Sequence, residues 1–170
     1  MIIWFIGMSG AGKTTLAEAL YDRLKPTHAN LVLLDGDTLR AVFDNDVDHT
    51  VEGRRRNAGR ISNLCAMLDR EGIHVIAAVL SIFPDWQEWN RQTFSQYFEI
   101  FLDVPLDLLK TRDTKGLYSD AEAGRMRNVV GIDIPFPTPP SPNLVIDAET
   151  QERGVDATLA HVIESLPSFA

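Results

Sequence analysis

Residues 2–20 read IIWFIGMSGAGKTTLAEAL. Five apolar residues run into a glycine-rich turn, and a lysine, two threonines and a helical pattern follow. Gly7-Met8-Ser9-Gly10-Ala11-Gly12-Lys13-Thr14 satisfies G-x-x-x-x-G-K-[ST], the phosphate-loop pattern. Glycine lets such a turn curl around an anion without Cβ clashes. Its backbone N–H groups then point inward, and the next helix begins there with its positive dipole end. Gly7, Ser9, Gly10, Ala11, Gly12, Lys13, Thr14 and Thr15 are therefore the expected triphosphate contacts. Lys13 should reach the β- and γ-phosphates, and the Thr14 hydroxyl should bind Mg2+. The motif asks for a nucleoside triphosphate, read here as ATP. It leaves open whether the phosphate goes to water, a protein or a metabolite.

The turn sits between Ile2–Ile6, a short strand apolar on both faces, and a helix over Thr14–Leu24 that Pro26 ends. NLVLLDGD, Asn30–Asp37, reads as a second buried strand running into a polar turn. Val51–Glu71 is helical, Ile73–Ser81 a third strand, Trp86–Gln96 helical and Tyr97–Val104 a fourth strand. Pro105–Arg112 starts a helix with Pro in its first turn. Asn143–Ala148 is a last strand and Val155–Leu166 a closing helix. The alternation predicts an α/β domain over 1–170 with a parallel five-stranded sheet and helices on both faces. The stretch 112–142 is rich in Gly, Pro and charge and carries little periodicity, which reads as a mobile lid.

Composition narrows the partners. The net charge of −8 argues against a general nucleic-acid binder. A single cysteine, Cys65, permits no internal disulfide and suits a cytoplasmic protein. No apolar run reaches the ~18 residues of a membrane span, and the amino terminus lacks the pattern of a signal peptide.

LLDGDTLR places Asp35, Asp37 and Arg40 just past the end of strand two, where ligands of open α/β sheets bind. Asp37 is a candidate base for a hydroxyl nucleophile and a possible outer-shell partner of Mg2+. Arg40 could hold an anionic group. In EGRRRNAGR, Arg54 and Asn57 are three residues apart and share a helix face. A guanidinium beside an amide suits a phosphate or phosphosulfate with a sugar or base edge. Arg55 and Arg56 point elsewhere and read as solvated surface. Lys115 lies in the glycine-flanked lid, where closure could bring its charge to the phosphates.

The order GMSGAGKTT, LDGDTLR, R-x-x-N, YFEIFLDVPL, RDTKGLY and AGRMRNVVGID resembles the adenylylsulfate (APS) kinase family. The similarity runs from Ile2 to about Asp147, and DGD-x-x-R with RD-x-KGLY makes it specific. The resemblance implies a P-loop kinase fold, a homodimer, and transfer of the γ-phosphate of MgATP to the 3′-hydroxyl of adenylyl sulfate. By position, Asp37 matches the family's catalytic aspartate, and Arg40, Arg54 and Asn57 its acceptor-binding residues. Lys115 matches the lid lysine, and Arg112 the residue packed on the ATP adenine.

The base-recognition half departs from the family. After strand three the family has S-P-[FY] followed by arginine. Here Ser81 and Phe83 remain, Ile82 replaces the proline, and Pro84 stands where the arginine would be. The family also sandwiches the acceptor adenine between two phenylalanines, at whose positions stand His49 and Val129. Each stacked ring contributes on the order of 1–3 kcal/mol. Trp86 and Trp89 read as a helix face packing on the core. Two acceptors follow: adenylyl sulfate with altered base contacts, or another nucleotide such as cytidine diphosphoramidate, whose smaller base needs less platform. A GTPase-like switch would need N-K-x-D, which does not occur. A bare nucleotide-binding module would leave Asp37, Arg54, Asn57 and Lys115 unexplained. Because the first strand starts at Ile2, neither an amino-terminal regulatory arm nor a fused sulfurylase domain is expected.

Overall fold

The computed structural model describes residues 1–168. Strand β1 (Ile2–Ile6) is buried along its whole length, so both of its faces must find apolar partners. They do so with a period of two. Ile3 and Phe5 enter one core, and Ile2, Trp4 and Ile6 enter another on the opposite face. The neighbouring strands β3 (His74–Val79) and β4 (Tyr97–Asp103) flank β1 in parallel, with Trp4 opposite Ala77 and Glu99. Strand β2 (Leu31–Asp35) lies outside β3, and β5 (Leu144–Asp147) outside β4. The sheet is five-stranded, in the order β2-β3-β1-β4-β5, with every pairing parallel, as the alternation of elements predicts.

Helix α1 (Lys13–Leu24) turns Leu16, Ala17 and Leu20 to the first core and packs beside the closing helix α8 (Val155–Ser165). Helix α3 (Val51–Arg70) covers the other face with Ile61, Cys65 and Ala66. The Thr50 hydroxyl caps it by accepting from Gly53 N–H. Helix α4 (Pro84–Thr93) packs on α3 at Gly59, where an added Cβ would stand 2.8 Å from the Trp86 ring. The Trp86 and Trp89 rings meet edge-on at 5.3 Å and pack among buried residues, as the helix-face reading expects. A fully buried side chain such as Ile100 stabilises the fold by about 1.5–3 kcal/mol.

Short helices depart from the expected boundaries. The second strand ends at Asp35, because the Asp35 carboxylate accepts from Asp37 and Thr38 N–H and starts helix α2 (Gly36–Val42). The fourth helix begins at Pro84, with the proline in its first turn, and ends at Thr93. After α5 (Leu106–Thr111), the stretch expected to be aperiodic contains α6 (Leu117–Glu122) and a bridge between Val130 and Ile134. Helix α7 (Ala148–Glu152) follows β5 directly, capped by Asp147. No helix of the described residues is long and apolar enough to cross a membrane.

Candidate active site

The phosphate loop joins β1 to α1 at the carboxyl end of the sheet. Gly12 is the N-cap of α1 at φ 92°, a left-handed conformation that glycine adopts without strain. No side chain caps this helix end and its first turn carries no acid, so its N–H groups are open to an anion. The loop's carbonyls are tied from outside. Lys13 Nζ donates to Met8 O at 2.8 Å. Tyr118 Oη donates to Ser9 O at 2.8 Å, and Gln151 Nε2 to Ala11 O at 3.1 Å.

Lys13 is half-buried. Desolvation pushes its ammonium pKa down to about 8, and the charges of Asp37 and Asp35 only partly oppose this. The Thr14 hydroxyl donates to Asp35 Oδ2 at 2.8 Å. Asp35 was expected among the acceptor contacts, but both its oxygens are engaged, one by Thr14 and one by the start of α2. Asp37, the second residue of that helix, is exposed, and its charge acts on Lys13, Arg40, Arg54 and His49. Asp37 thus lies within electrostatic reach of both Lys13 of the phosphate loop and Arg54 of α3.

The opposite wall is basic. Arg40 donates to Val47 O at 3.0 Å. Arg54 spans the cleft, with Nε on His49 O and Nη2 on Asn128 O, both at 2.8 Å. Burial draws its guanidinium down from its usual value, with Arg40 adding to this, and an arginine remains charged throughout. Asn57 is buried beside it, and its Oδ1 has no partner among the described residues. Loss of water, then Arg40 and Arg54, lower the His49 imidazole pKa, so the ring is neutral at pH 7. Of the neighbouring arginines, Arg55 pairs with Asp85 and lies over the Phe83 ring at 4.5 Å, while Arg56 faces solvent beside Glu52.

The remaining expected residues divide. Ser81 is half-buried at the end of β3. Ile82 and Phe83 are buried against Val130 and Ile134, so the side chains themselves form a small core under the lid. Val129 is buried in the main core, and its side chain offers no platform in the cleft. Lys115 is exposed on the turn before α6 and forms no ion pair among the described residues. Arg112 donates to Gln151 Oε1 at 3.1 Å. A cavity of about 460 Å³ adjoins the phosphate loop at Met8, between the end of β4 and Gly131–Phe136.

Three residues that sequence reasoning passed over hold this arrangement. Asp113 caps α6 by accepting from Leu117, Tyr118 and Ser119 N–H, which ties Lys115 and Gly116 into a tight turn. Tyr118 and Gln151 tie the phosphate loop to α6 and to α7. Asp113 had a local cue, an aspartate ahead of a short polar run. Tyr118 and Gln151 had none, because their contacts cross 109 and 140 residues.

No group of three or more His, Cys, Asp or Glu among the described residues could hold a metal. Mg2+ takes one or two protein oxygens and completes its shell with phosphates and water. Thr14, with Asp35 at 2.8 Å, is such a hard-oxygen set.

The sequence profile of adenylylsulphate kinase matches residues 1–147. An adenylyl-sulfate kinase of Paraburkholderia xenovorans (strain LB400) is 39% identical over 165 residues, covering 95% of this chain and 92% of that protein. An adenylyl-sulfate kinase of Picosynechococcus sp. is 35% identical, covering 95% of this chain and 93% of its own. Among solved structures, the Mycobacterium tuberculosis APS kinase in complex with AMPPNP and APS superposes with a TM-score of 0.87 at 30% identity, covering 98% of this chain and 97% of that one. The profile match over residues 1–147 and relatives of up to 39% identity across most of the chain show that it belongs to the adenylylsulphate kinase family.

Proposed function

We propose that the protein transfers the γ-phosphoryl group of MgATP to the 3′-hydroxyl of adenylyl sulfate. The observation that carries this reading is the start of α2, where the Asp35 carboxylate accepts from both the Thr14 hydroxyl and Asp37 N–H, so that exposed Asp37 stands next to the phosphate loop and within the electrostatic reach of Lys13, Arg40 and Arg54. A group held there lies between a triphosphate and an anionic acceptor. Lys13 and the N–H groups of the loop hold the β- and γ-phosphates, and Arg112 faces the adenine. Arg40, Arg54 and Asn57 hold the acceptor, with the unpaired Asn57 Oδ1 available to a donor on it. Asp37 orients the 3′-hydroxyl and takes its proton as the new O–P bond forms. The bond from the γ-phosphorus to the β,γ-bridging oxygen breaks, and ADP leaves. Lys115, brought over by its lid, adds positive charge to the transferring group. Thr14, with Asp35 behind it, would hold Mg2+, which would supply neutralisation of the triphosphate's charge when bound. The work is mostly positioning and electrostatics, as phosphoryl transfer requires. A single domain with a mobile lid, a homodimer and a cytoplasmic setting belong to the same proposal.

One observation supports a second acceptor. Val129 is turned into the core, and His49 replaces the other ring of the family's adenine platform. A pyrimidine conjugate such as cytidine diphosphoramidate would lose less from this than a purine does. The test offers adenylyl sulfate and a panel of 3′-hydroxyl nucleotides with MgATP and reads phosphorylation by mass spectrometry. Fastest turnover of adenylyl sulfate supports the first reading. Turnover of a cytidine conjugate that matches or exceeds it supports the second, and ADP release indifferent to every nucleotide refutes both.

A further inference from the structure

Ser81 has φ 51°. The other described non-glycine residues with positive φ are Asp44, Asn45 and Asn128, types that tolerate the left-handed region. Serine tolerates it less, and such a backbone persists only where its surroundings over-determine it. Residue 82 is isoleucine, so no proline ring fixes the chain here.

Two side chains do the fixing. Trp4 Nε1 donates to Ser81 Oγ at 2.6 Å. Gln87 Nε2 donates to Ser81 O at 2.8 Å. Trp4 is 3% exposed and Gln87 2%, so both bonds form away from competing water. Gln87 Oε1 is buried with no hydrogen-bond partner among the described residues, where the amide's hydrogen bond is its donation to Ser81. Trp4 stands on β1, the strand that carries the phosphate loop, and Gln87 in the first turn of α4. The grip on Ser81 thus refers the loop after β3 to the same strand that sets the triphosphate.

We propose that Trp4 and Gln87 are positioning residues for the acceptor. By holding Ser81 left-handed, they fix the backbone of residues 81–83 against the bound nucleotide. The inference rests on the reading that this loop meets the acceptor. It assigns the effect to backbone conformation, not to the Ser81 hydroxyl.

The test uses Trp4→Phe, which keeps an aromatic ring and removes the indole donor, and Gln87→Met, which keeps length and removes the amide. KM is measured for MgATP and for whichever acceptor the wild-type enzyme turns over. Failure of the acceptor assignment then shows in the wild type, and failure of the positioning role only in the variants. Each substitution should raise the acceptor KM about fivefold, the weight of one net hydrogen bond. The KM for MgATP should stay within about twofold. Adding Ser81→Gly, for which a left-handed φ carries no steric penalty, should bring the acceptor KM back in either background. An unchanged acceptor KM in both single variants, a parallel rise in both KM values, or no recovery with Ser81→Gly would overturn the proposal. Melting curves accompany the kinetics, and if Trp4→Phe fails to fold, Gln87→Met decides.

Discussion

Lys13 makes ATP binding a proton-coupled event. Its ammonium is half-buried against Met8 O, and lost hydration lowers its pKa from 10.5 to about 8. Between those values the unfolded chain binds more protons than the folded one, so the stability of the nucleotide-free enzyme rises with pH across that window. Binding has the opposite sign. A triphosphate beside the ammonium favours its charged form, so ATP takes up a proton wherever the free enzyme has lost one. With a free value of about 8, proton uptake per ATP should be small at pH 7 and should grow as the pH rises through and above 8. The dissociation constant then rises by up to about tenfold per unit above pH 8. Calorimetric titration with MgATP in two buffers of different ionisation enthalpy reads the uptake directly. Lys13→Arg should abolish it, because arginine stays protonated over the whole range. Uptake that is flat from pH 7 to 9, or that survives in Lys13→Arg, would refute the reasoning.

Other substitutions separate the roles. Asp37→Asn should lower turnover by about 10²–10⁴-fold while calorimetry shows MgATP still bound, and a near-normal kcat would remove Asp37 as the base. Tyr118→Phe deletes the donor to Ser9 O, and because Ser9 is exposed and water can take its place, the loss is about 0.5–1.5 kcal/mol. Scanning calorimetry should then show Tm down by about 1–6 °C, and KM for MgATP should rise with it. His49→Phe should lower the KM for adenylyl sulfate, since a stacked ring contributes on the order of 1–3 kcal/mol. Val129→Phe enters a packed core and should instead destabilise by about 1–3 kcal/mol, read by denaturant unfolding, with no gain for adenylyl sulfate. Equal improvement from both would contradict the placement of Val129.

The long elements were legible because one physical pattern fixes each. β1, β3 and β4 carry buried residues on both faces, and α1 and α3 carry their buried residues on one side. The elements that escaped are α2, α6 and α7, at seven, six and five residues too short for a helical period to show. Each is started by an aspartate carboxylate, Asp35, Asp113 and Asp147, accepting from the first N–H groups. Read with caps in mind, DGDTLR and RDTKGLY signal a helix start as well as a binding motif. The phosphate loop was legible because its contacts are made within a few residues. The ties from Tyr118 and Gln151, and the grip of Trp4 on Ser81, join segments 77 to 140 residues apart. No local pattern encodes such contacts. The turn of Val129 into the core belongs with them, since a valine in a lid reads the same whether it faces the cleft or the interior.

Product analysis puts the shared cleft to the most direct test. The enzyme is given ATP carrying a labelled γ-phosphoryl group together with its best acceptor, and the products are resolved by phosphorus NMR and mass spectrometry. Direct transfer at Asp37 predicts one labelled phosphate on the acceptor's 3′-hydroxyl for each ADP released. Label appearing as inorganic phosphate, or on any other hydroxyl, would contradict the account.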